Sequence, residues 1–264
     1  MKPQLHAWIT ALFCCLLAKS VASADSRYEA CEPRNCGTGP NISYPFYLEG
    51  VGADYCGFQS FRISSEQNRP TFRTSRGPYV VSDIDYQNNS IRLVDSDIIN
   101  ATCLAPKHYF AFDWENSDKF NFSPNHANLQ YFYGCNESLA LGLESSSLLC
   151  ASNSTHHSFV ALVRQNTDLR TVEYCERQVA VPIDLEYNPK ANQTINTVNS
   201  TRLLTEGFTL LWHGSDASYC DRCRRSGGRC GRQNQATVCF CADGPKPTAC
   251  GNVTVTGNNG KGGT

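Results

Sequence analysis

The feature that most constrains this chain is its cysteine content, because 15 of its 264 residues are cysteines. In a reducing compartment so many thiols would indicate metal or catalytic sites, whereas in an oxidising compartment they indicate a framework of disulfides. Cys14 and Cys15 lie in an apolar N-terminal segment, which leaves thirteen cysteines for the folded chain. Because thirteen is an odd number, at most six intramolecular disulfides form and one thiol is left over.

The N-terminal segment has the pattern of a secretory signal peptide. Lys2 precedes an apolar run over residues 7–18, and Ala22-Ser23-Ala24 supplies the small residues that a signal peptidase requires. The run is shorter than the roughly 20 residues that span a bilayer. We therefore predict a signal peptide over residues 1–24 and an oxidising compartment for the rest of the chain.

Acceptors for N-glycosylation agree with an extracellular chain, because a glycan must face solvent. Asn121 is a weak acceptor, since Pro124 follows its Ser123. No second stretch of membrane length follows, so we expect a secreted protein, or an ectodomain fragment if the gene continues beyond Thr264. The predicted glycosylation sites are Asn41, Asn88, Asn100, Asn136, Asn153, Asn192, Asn199 and Asn252.

Hydrophobic residues make up 41% of the chain, which is enough for a packed core and excludes disorder of the whole chain. Short aromatic and β-branched segments between Asn-, Ser-, Gly- and Pro-rich turns predict an all-β protein. Val80, Ile84 and Tyr86 share one strand face before a turn at Asn88-Asn89, which indicates a hairpin. Other predicted elements are strands over Tyr109–Trp114, Leu129–Tyr133, Phe159–Arg164, Val179–Ile183 and Phe208–Trp212, a short helix around Thr201–Glu206, and an exposed loop from Asn188 to Ser200.

The sequence contains no catalytic motif that we can identify, neither a nucleophile elbow nor a zinc-protease pattern nor a phosphate-binding loop. His156 and His157 fall in a polar loop. Two pairs of carboxylates, Asp83 with Asp85 and Asp95 with Asp97, have the composition of a glycosidase pair, but we expect them on solvated strand edges. A net charge of −1 argues against a nucleic-acid binder. We expect no catalytic residue, no cofactor and no metal.

Six cysteines are concentrated near the C-terminus in the pattern C-x2-C-x6-C-x8-C-x-C-x8-C. A zinc site that includes Cys220-x2-Cys223 and Cys239-x-Cys241 is one alternative, which an oxidising compartment disfavours. The last three cysteines also resemble the end of an EGF-like module, without its aromatic-Gly signature. Arginines between these cysteines either keep the surface soluble or bind carboxylates.

Two stretches resemble a family of plant receptors. The first contains Cys31-x4-Cys36-Gly37, Ile42-Ser43-Tyr44-Pro45-Phe46 and Tyr55-Cys56-Gly57, and it resembles the galacturonan-binding domain of wall-associated receptor kinases. The second runs from Gly207-Phe208-x-Leu210-x-Trp212 through Cys220-x2-Cys223 to Cys239-Phe240-Cys241-x-Asp243-Gly244, and it resembles the cysteine-rich C-terminal domain of the same receptors. Their order is similar to that in the ectodomain of leaf-rust-resistance-type receptor-like kinases.

The resemblance implies a domain layout and an activity. We expect a disulfide-rich, all-β protein of two small β modules, over residues 25–130 and 131–250, joined by a polar loop region, with at most short helices and a flexible tail over residues 251–264. Full-length relatives continue into a membrane span and a Ser/Thr kinase domain. This sequence contains neither, so we expect no kinase activity from it.

The resemblance also suggests which thiol is unpaired. The family has a further cysteine about eight residues after the Cys-Gly pair, and Ser65 stands at that position here. We therefore predict that Cys56 is the free thiol. The remaining cysteines form the predicted disulfide pool, which comprises Cys31, Cys36, Cys103, Cys135, Cys150, Cys175, Cys220, Cys223, Cys230, Cys239, Cys241 and Cys250.

The implied ligand is pectic polygalacturonate, an acidic cell-wall polysaccharide. Arginine side chains would bind its carboxylates and aromatic rings would stack on its sugars, although Tyr44-Pro45-Phe46 is alternatively a core turn. The net charge of −4 over residues 25–130 opposes a polyanion unless the arginines converge. The candidate ligand-binding residues are Arg62, Arg69, Arg73, Arg76, Tyr44, Phe46 and Tyr55.

Two other functions stay open from the sequence. A kinase-less ectodomain can act as a decoy or co-receptor that pairs with full-length membrane receptor kinases, for which a free thiol offers one means of attachment. A secreted hydrolase is the third possibility, and it has no motif behind it.

Overall fold

A computed structural model describes residues 23–99, 101–113, 117–136, 145–163, 175–185, 200–214 and 216–251. Some of the expectations above lie outside these residues. They are the signal segment up to residue 22, the glycosylation sites Asn100, Asn192, Asn199 and Asn252, the ends of two predicted strands at Trp114 and Arg164, the loop over residues 188–199, and the tail from residue 252.

Strand is the main secondary structure of the described residues, beside short helices and six disulfides, which confirms the predicted disulfide-rich all-β class. The helices are α1 (Ser26–Ala30), α2 (Ser200–Glu206) and α3 (Ala217–Arg225). The strands are β1 (Tyr47–Leu48), β2 (Arg62–Glu66), β3 (Arg69–Thr74), β4 (Gly77–Asp85), β5 (Ser90–Asp95), β6 (Phe120–Phe122), β7 (His126–Cys135), β8 (Ser145–Ser147), β9 (His157–Val163), β10 (Cys175–Asp184), β11 (Phe208–Trp212), β12 (Arg229–Gln233), β13 (Ala236–Cys241) and β14 (Gly244–Lys246).

The largest sheet has the strand order β1-β2-β3-β4-β5-β11-β6. One of its faces buries an aromatic core, in which the Phe46 ring lies 5.2 Å from Phe61 and 5.0 Å from Trp212. Strand β11 pairs with β5 on one side and with β6 on the other. The sheets therefore do not divide where we placed the module boundary, between residues 130 and 131, because a strand from the second half completes the first sheet.

The predicted hairpin is formed by β4 and β5, with the turn at Asn88 and Asn89. The predicted strand face is wrong in one detail. The register shifts between Val81 and Asp83, so Val81, and not Val80, is buried in the same core as Ile84. A bulge of this kind inserts one residue and reverses the alternation beyond it, which strict period-two reading of the sequence misses.

The second sheet has the order β10-β7-β9-β8, and it contains three of the predicted strands. One face packs against Leu203 and Leu204 of α2, the helix that the sequence predicted. Residues 109–113 form no strand, contrary to the prediction. The aromatic residues that suggested a strand, Phe110 and Phe112, lie in a loop instead, and their rings pack against the core of the first sheet.

The third sheet, β12-β13-β14, forms the cysteine-rich end of the chain together with α3, a helix that the sequence reading missed. Disulfides Cys220–Cys230 and Cys223–Cys239 join α3 to this sheet, and Cys241–Cys250 closes the last turn. All six sulfurs take part in disulfides in the structure, the arrangement that an oxidising compartment favours over zinc.

The N-terminal half contradicts the prediction of the free thiol. Cys56 is bonded to Cys31, with a Cα–Cα distance of 5.1 Å, and the free thiol is Cys36, which is buried. Cys31 follows directly on α1, which packs against β13, and this places it over the short turn that contains Cys56. The remaining bonds are Cys103–Cys150 and Cys135–Cys175.

Candidate functional site

The predicted arginines do not form one cluster. Arg62 and Arg73 lie beside the register pair Ile63–Phe72 on adjacent strands, and their side chains project to the face opposite the core. Arg69 lies on the same face at the other end of the hairpin, opposite Glu66. Arg76 lies in the turn between β3 and β4, where its guanidinium stacks 4.7 Å from the centre of the Tyr109 ring.

Two of these arginines form ion pairs with carboxylates. The Arg73 Nε atom lies 2.8 Å from Glu66 Oε1, and the Arg62 Nη1 atom lies 3.4 Å from Glu49 Oε1. All of these side chains are at least one-third exposed. Such surface pairs contribute about 0–1 kcal/mol, so a carboxylate ligand displaces them at little cost.

Two of the three predicted stacking residues are unavailable to a sugar, and both corrections have the same reason. Phe46 is fully buried in the core of the first sheet. Tyr44 is also buried, and its hydroxyl donates a hydrogen bond of 2.9 Å to Asp216 Oδ2 and lies 3.1 Å from Thr237 Oγ1. Burial raises the pKa of Tyr44, so the hydroxyl keeps its proton for this contact. Both residues belong to the core, as the alternative reading held.

The third, Tyr55, is half-buried, and its ring packs edge-on against Phe240 of β13, with 5.7 Å between the ring centres. This contact joins the N-terminal region to the cysteine-rich end of the chain. The backbone carbonyl of Tyr55 also lies against Gly231, so close that a Cβ atom there would be 2.7 Å from it. The surroundings of Tyr55 therefore indicate packing between two parts of the chain.

An open groove of about 930 Å³ brings together basic residues from three distant parts of the sequence. Arg62 comes from β2, Lys119 precedes β6, and Arg232 comes from β12. Phe58, Gln59 and Ser60 line the same groove. We call this feature the basic groove. Sequence reasoning named Arg62 as a ligand residue and noted Arg232 only among the C-terminal arginines, because residues so far apart in the chain give no local signal that they meet.

The geometry of the basic groove suits an anionic ligand. The Arg232 guanidinium stacks 4.3 Å from the centre of the Phe58 ring, and one of its amino groups donates to the Gln235 carbonyl at 2.7 Å. These two contacts hold the side chain in place, so less rotamer entropy is lost when it binds a partner. The one acidic residue in the lining, Asp118, pairs with Lys119 at 2.6 Å and is largely exposed.

The carboxylates of the two candidate pairs, Asp83 with Asp85 and Asp95 with Asp97, differ in burial and in hydrogen bonding. Asp95 is buried, contrary to the expectation of a solvated edge, and desolvation raises the pKa of its carboxyl group. Its Oδ2 atom lies 3.6 Å from His108 Nε2, and its Oδ1 atom accepts a hydrogen bond from the Asp97 amide. Asp85 differs, because hydrogen bonds from Asn88 lower the pKa of its carboxyl group. Asp95 is therefore a buried group of the hairpin end, and Asp85 orders the turn.

Four predicted glycosylation sites lie among the described residues, and all four are exposed. Asn88 is at the tip of the β4–β5 hairpin, and Asn41 follows the exposed loop after the buried Cys36. Glycosylation at these four sites, Asn41, Asn88, Asn136 and Asn153, stays a prediction. No helix within the described part of the chain is long and apolar enough to cross a membrane.

Comparison with known proteins identifies two matching families along the chain. The family described as wall-associated receptor kinase galacturonan-binding matches residues 31–95, and the family described as wall-associated receptor kinase C-terminal matches residues 142–244. Both matches, and their order, confirm the resemblance inferred from the cysteine motifs. Arg62 lies in the first matched region and Arg232 in the second, so the basic groove contains residues of both.

Curated relatives from Arabidopsis thaliana extend the similarity over most of the chain. Leaf rust 10 disease-resistance locus receptor-like protein kinase-like 1.2 is 33% identical over 237 residues, which cover 88% of this chain and 35% of the relative. The 2.1 and 2.8 proteins of the same name are 25% and 26% identical, covering 91% and 84% of this chain and 38% and 25% of their own lengths. The chain thus spans roughly a third of the length of these relatives. No solved structure matches it.

Proposed function

We propose that this chain, which carries the galacturonan-binding and C-terminal regions of wall-associated receptor kinases in that order, is a secreted ectodomain that binds pectic polygalacturonate in the basic groove. The observation that carries the proposal is the meeting of Arg62, Lys119 and Arg232 in one groove. Arg232 comes from outside residues 25–130, and the three cations converge at an open surface even though the net charge of that half is −4. The sequence alone left this conflict between net charge and ligand charge unresolved.

The groove offers the interactions that a chain of uronic acids needs. A guanidinium group binds a carboxylate through two parallel hydrogen bonds, and an ammonium group adds a less directional attraction. Gln59 and Ser60 supply amide and hydroxyl groups for sugar hydroxyls. Glu49 and Asp118 already pair with two of the cations through exposed contacts, which a ligand carboxylate replaces.

Binding of oligogalacturonides to the purified chain tests the proposal. We expect the Arg62→Ala/Arg232→Ala double variant to bind at least tenfold more weakly than the unaltered protein, as measured by isothermal titration calorimetry. We also expect the affinity to fall as salt is added, because exposed charges are screened. The matched control is Arg225→Ala, which removes an arginine that is 78% exposed and lies outside the groove.

A second variant, Arg69→Ala/Arg73→Ala, tests whether the ligand binds instead to the face of the β2–β3 hairpin. Loss of binding in this variant, with normal binding in the groove variant, would move the site to the hairpin and overturn our assignment. Binding that is unaffected by salt and by both variants would reject an electrostatic site for uronates altogether.

Secretion and glycosylation belong to the same proposal. We expect the mature protein from a plant secretory system to begin at Asp25 and to lose mass on treatment with a peptide N-glycosidase. N-terminal sequencing and intact-mass measurement check both points. If the purified protein retained residues 1–24 and carried no glycan, the prediction of secretion would be wrong.

The co-receptor alternative loses the support of the free thiol. Cys36 has 7% of its surface exposed and packs in the core of the first sheet. A buried thiol is poorly placed to form a disulfide with another chain. Association with receptor kinases is therefore not part of our proposal.

A further inference from the structure

A second groove, of about 390 Å³, lies on one face of the second sheet. Side chains from β7 and β10 form its floor, and residues 109 and 110 and β6 contribute to its walls. Its polar and ring-bearing lining includes Tyr109, Phe122, His126, Asn128, Gln130 and Gln178. We call it the amide groove.

Strand alternation places the amides of this groove on one face. Asn128 and Gln130 are two residues apart on β7, so their side chains project to the same side of the sheet about 6.8 Å apart. Leu129 and Tyr131 project to the other side and are buried in the core. Gln178 on β10 completes the row, with its Oε1 atom 3.5 Å from Gln130 Nε2.

Aromatic rings flank the amides. The His126 ring is exposed and stacks on Phe122, with the ring centres 4.5 Å apart and the planes at 15°. Tyr109 is 43% exposed and is held from one side by the Arg76 guanidinium. Two ring surfaces are thus fixed in position at the edge of the row of amides.

The charge of the amide groove differs from that of the basic groove. None of the residues that line it is Asp, Glu, Lys or Arg. An amide side chain donates and accepts hydrogen bonds at the same time, which matches a hydroxyl group that does both. Exposed rings with a few convergent polar groups form the usual lining of a site for a ligand that is part apolar and part polar. A neutral sugar has this combination, with hydroxyls around its edge and C–H groups on its faces.

We propose that the amide groove binds a segment of a neutral polysaccharide, in addition to any uronate bound elsewhere. Asn128, Gln130 and Gln178 contact the hydroxyls, and the His126 and Tyr109 rings contact the apolar faces of the sugars. The proposal does not depend on the proposed function, because the two grooves share no lining residue. A protein with two sites of different chemistry binds a mixed wall matrix more tightly than either site does alone, since the second contact is intramolecular.

Titration with soluble neutral oligosaccharides of glucose, xylose, mannose and galactose tests this inference. We expect at least one of them to bind, with an affinity that does not change between low and high salt. We expect Gln178→Ala to weaken that binding at least threefold and Asn128→Ala/Gln130→Ala at least tenfold. Gln178 is exposed, so its variant keeps the fold even if the double variant does not.

Two controls separate this site from the basic groove. Gln233→Ala removes an exposed amide outside both grooves and should bind as the unaltered protein does. Arg62→Ala/Arg232→Ala should bind neutral sugars normally, whatever it does to oligogalacturonides. The inference is overturned if none of the neutral oligosaccharides binds, or if binding persists unchanged in a folded Gln178→Ala protein.

Discussion

At the scale of single residues, the unpaired thiol of Cys36 lies beside a serine. Ser65 stands where the family resemblance expects a cysteine, and its side chain is close enough to the Cys36 thiol to influence its pKa. Burial raises the pKa of the Cys36 thiol, so it stays protonated and unreactive at neutral pH. The sequence predicted that Ser65 had left a cysteine without a partner, which stays a prediction. It named Cys56, because spacing along the chain does not tell which cysteine lies beside residue 65.

Restoring the cysteine tests this pairing. We expect Ser65→Cys to form a seventh disulfide with Cys36, which lowers the number of titratable thiols in the denatured protein from one to zero. Closing a loop of about 30 residues stabilises a fold by about 3–4 kcal/mol in the chain-entropy model, less any strain, so the midpoint of thermal unfolding should rise. Thiol titration and calorimetry measure the two effects.

Ser64→Cys is the matched control, because its side chain projects to the opposite face of β2. It should show two titratable thiols and no gain in stability. If Ser65→Cys also showed two thiols after oxidation, residue 65 would not be the neighbour of Cys36.

At the scale of elements, Gly207 determines how β11 enters the first sheet. Gly207 ends α2, donating its amide to the Leu203 carbonyl at 3.0 Å, and has a φ of +73°. A Cβ atom at this position would lie 2.0 Å from the Leu93 carbonyl oxygen on β5. Only glycine permits both the left-handed turn and the close approach of the two backbones.

Substitution at two helix-ending glycines separates these effects. Gly227 follows α3, has a φ of +80°, and has open space around its position for a Cβ atom. We expect Gly227→Ala to cost about 1–2 kcal/mol for the left-handed conformation alone. Gly207→Ala should cost clearly more, because the backbone of β5 must also move.

Denaturant unfolding of both variants measures the difference. Gly214→Ala serves as a baseline, since nothing lies within 4 Å of its added Cβ atom and its φ is not in the left-handed region. Equal losses of stability at Gly207 and Gly227 would contradict the close approach of Gly207 to β5.

At the scale of the whole molecule, the two halves of the chain are packed together. The Asp25 amide donates to the Ala242 carbonyl at 2.9 Å, and the Arg229 guanidinium stacks 3.9 Å from the centre of the Tyr28 ring. Tyr44 reaches Asp216 and Thr237, and β11 lies inside the first sheet between β5 and β6. The N-terminal half is therefore incomplete without the C-terminal half.

Truncation tests this dependence. We expect a fragment of residues 25–130 to lack a cooperative unfolding transition, because it leaves an edge of β5 and the aromatic core around Phe46 uncovered. Residues 25–251 should unfold in one sharp transition. Calorimetry and near-ultraviolet circular dichroism distinguish the two cases. A cooperatively folding 25–130 fragment would instead support the two sequential modules predicted from the sequence.

Local sequence patterns were enough to predict the class of fold, six of the fourteen described strands (β4, β5, β7, β9, β10 and β11), the helix near residues 200–206 and the family resemblance. These follow from local pattern, because alternation, turn residues and cysteine spacing are read within short windows. Tertiary structure decided the rest. It placed β11 between β5 and β6, chose Cys36 as the free thiol, buried Tyr44 and Phe46, and brought Lys119 and Arg232 to Arg62. Each of these outcomes is a contact between residues far apart in the chain, and the free energy of such contacts depends on the packing of the whole molecule rather than on any local run of residues.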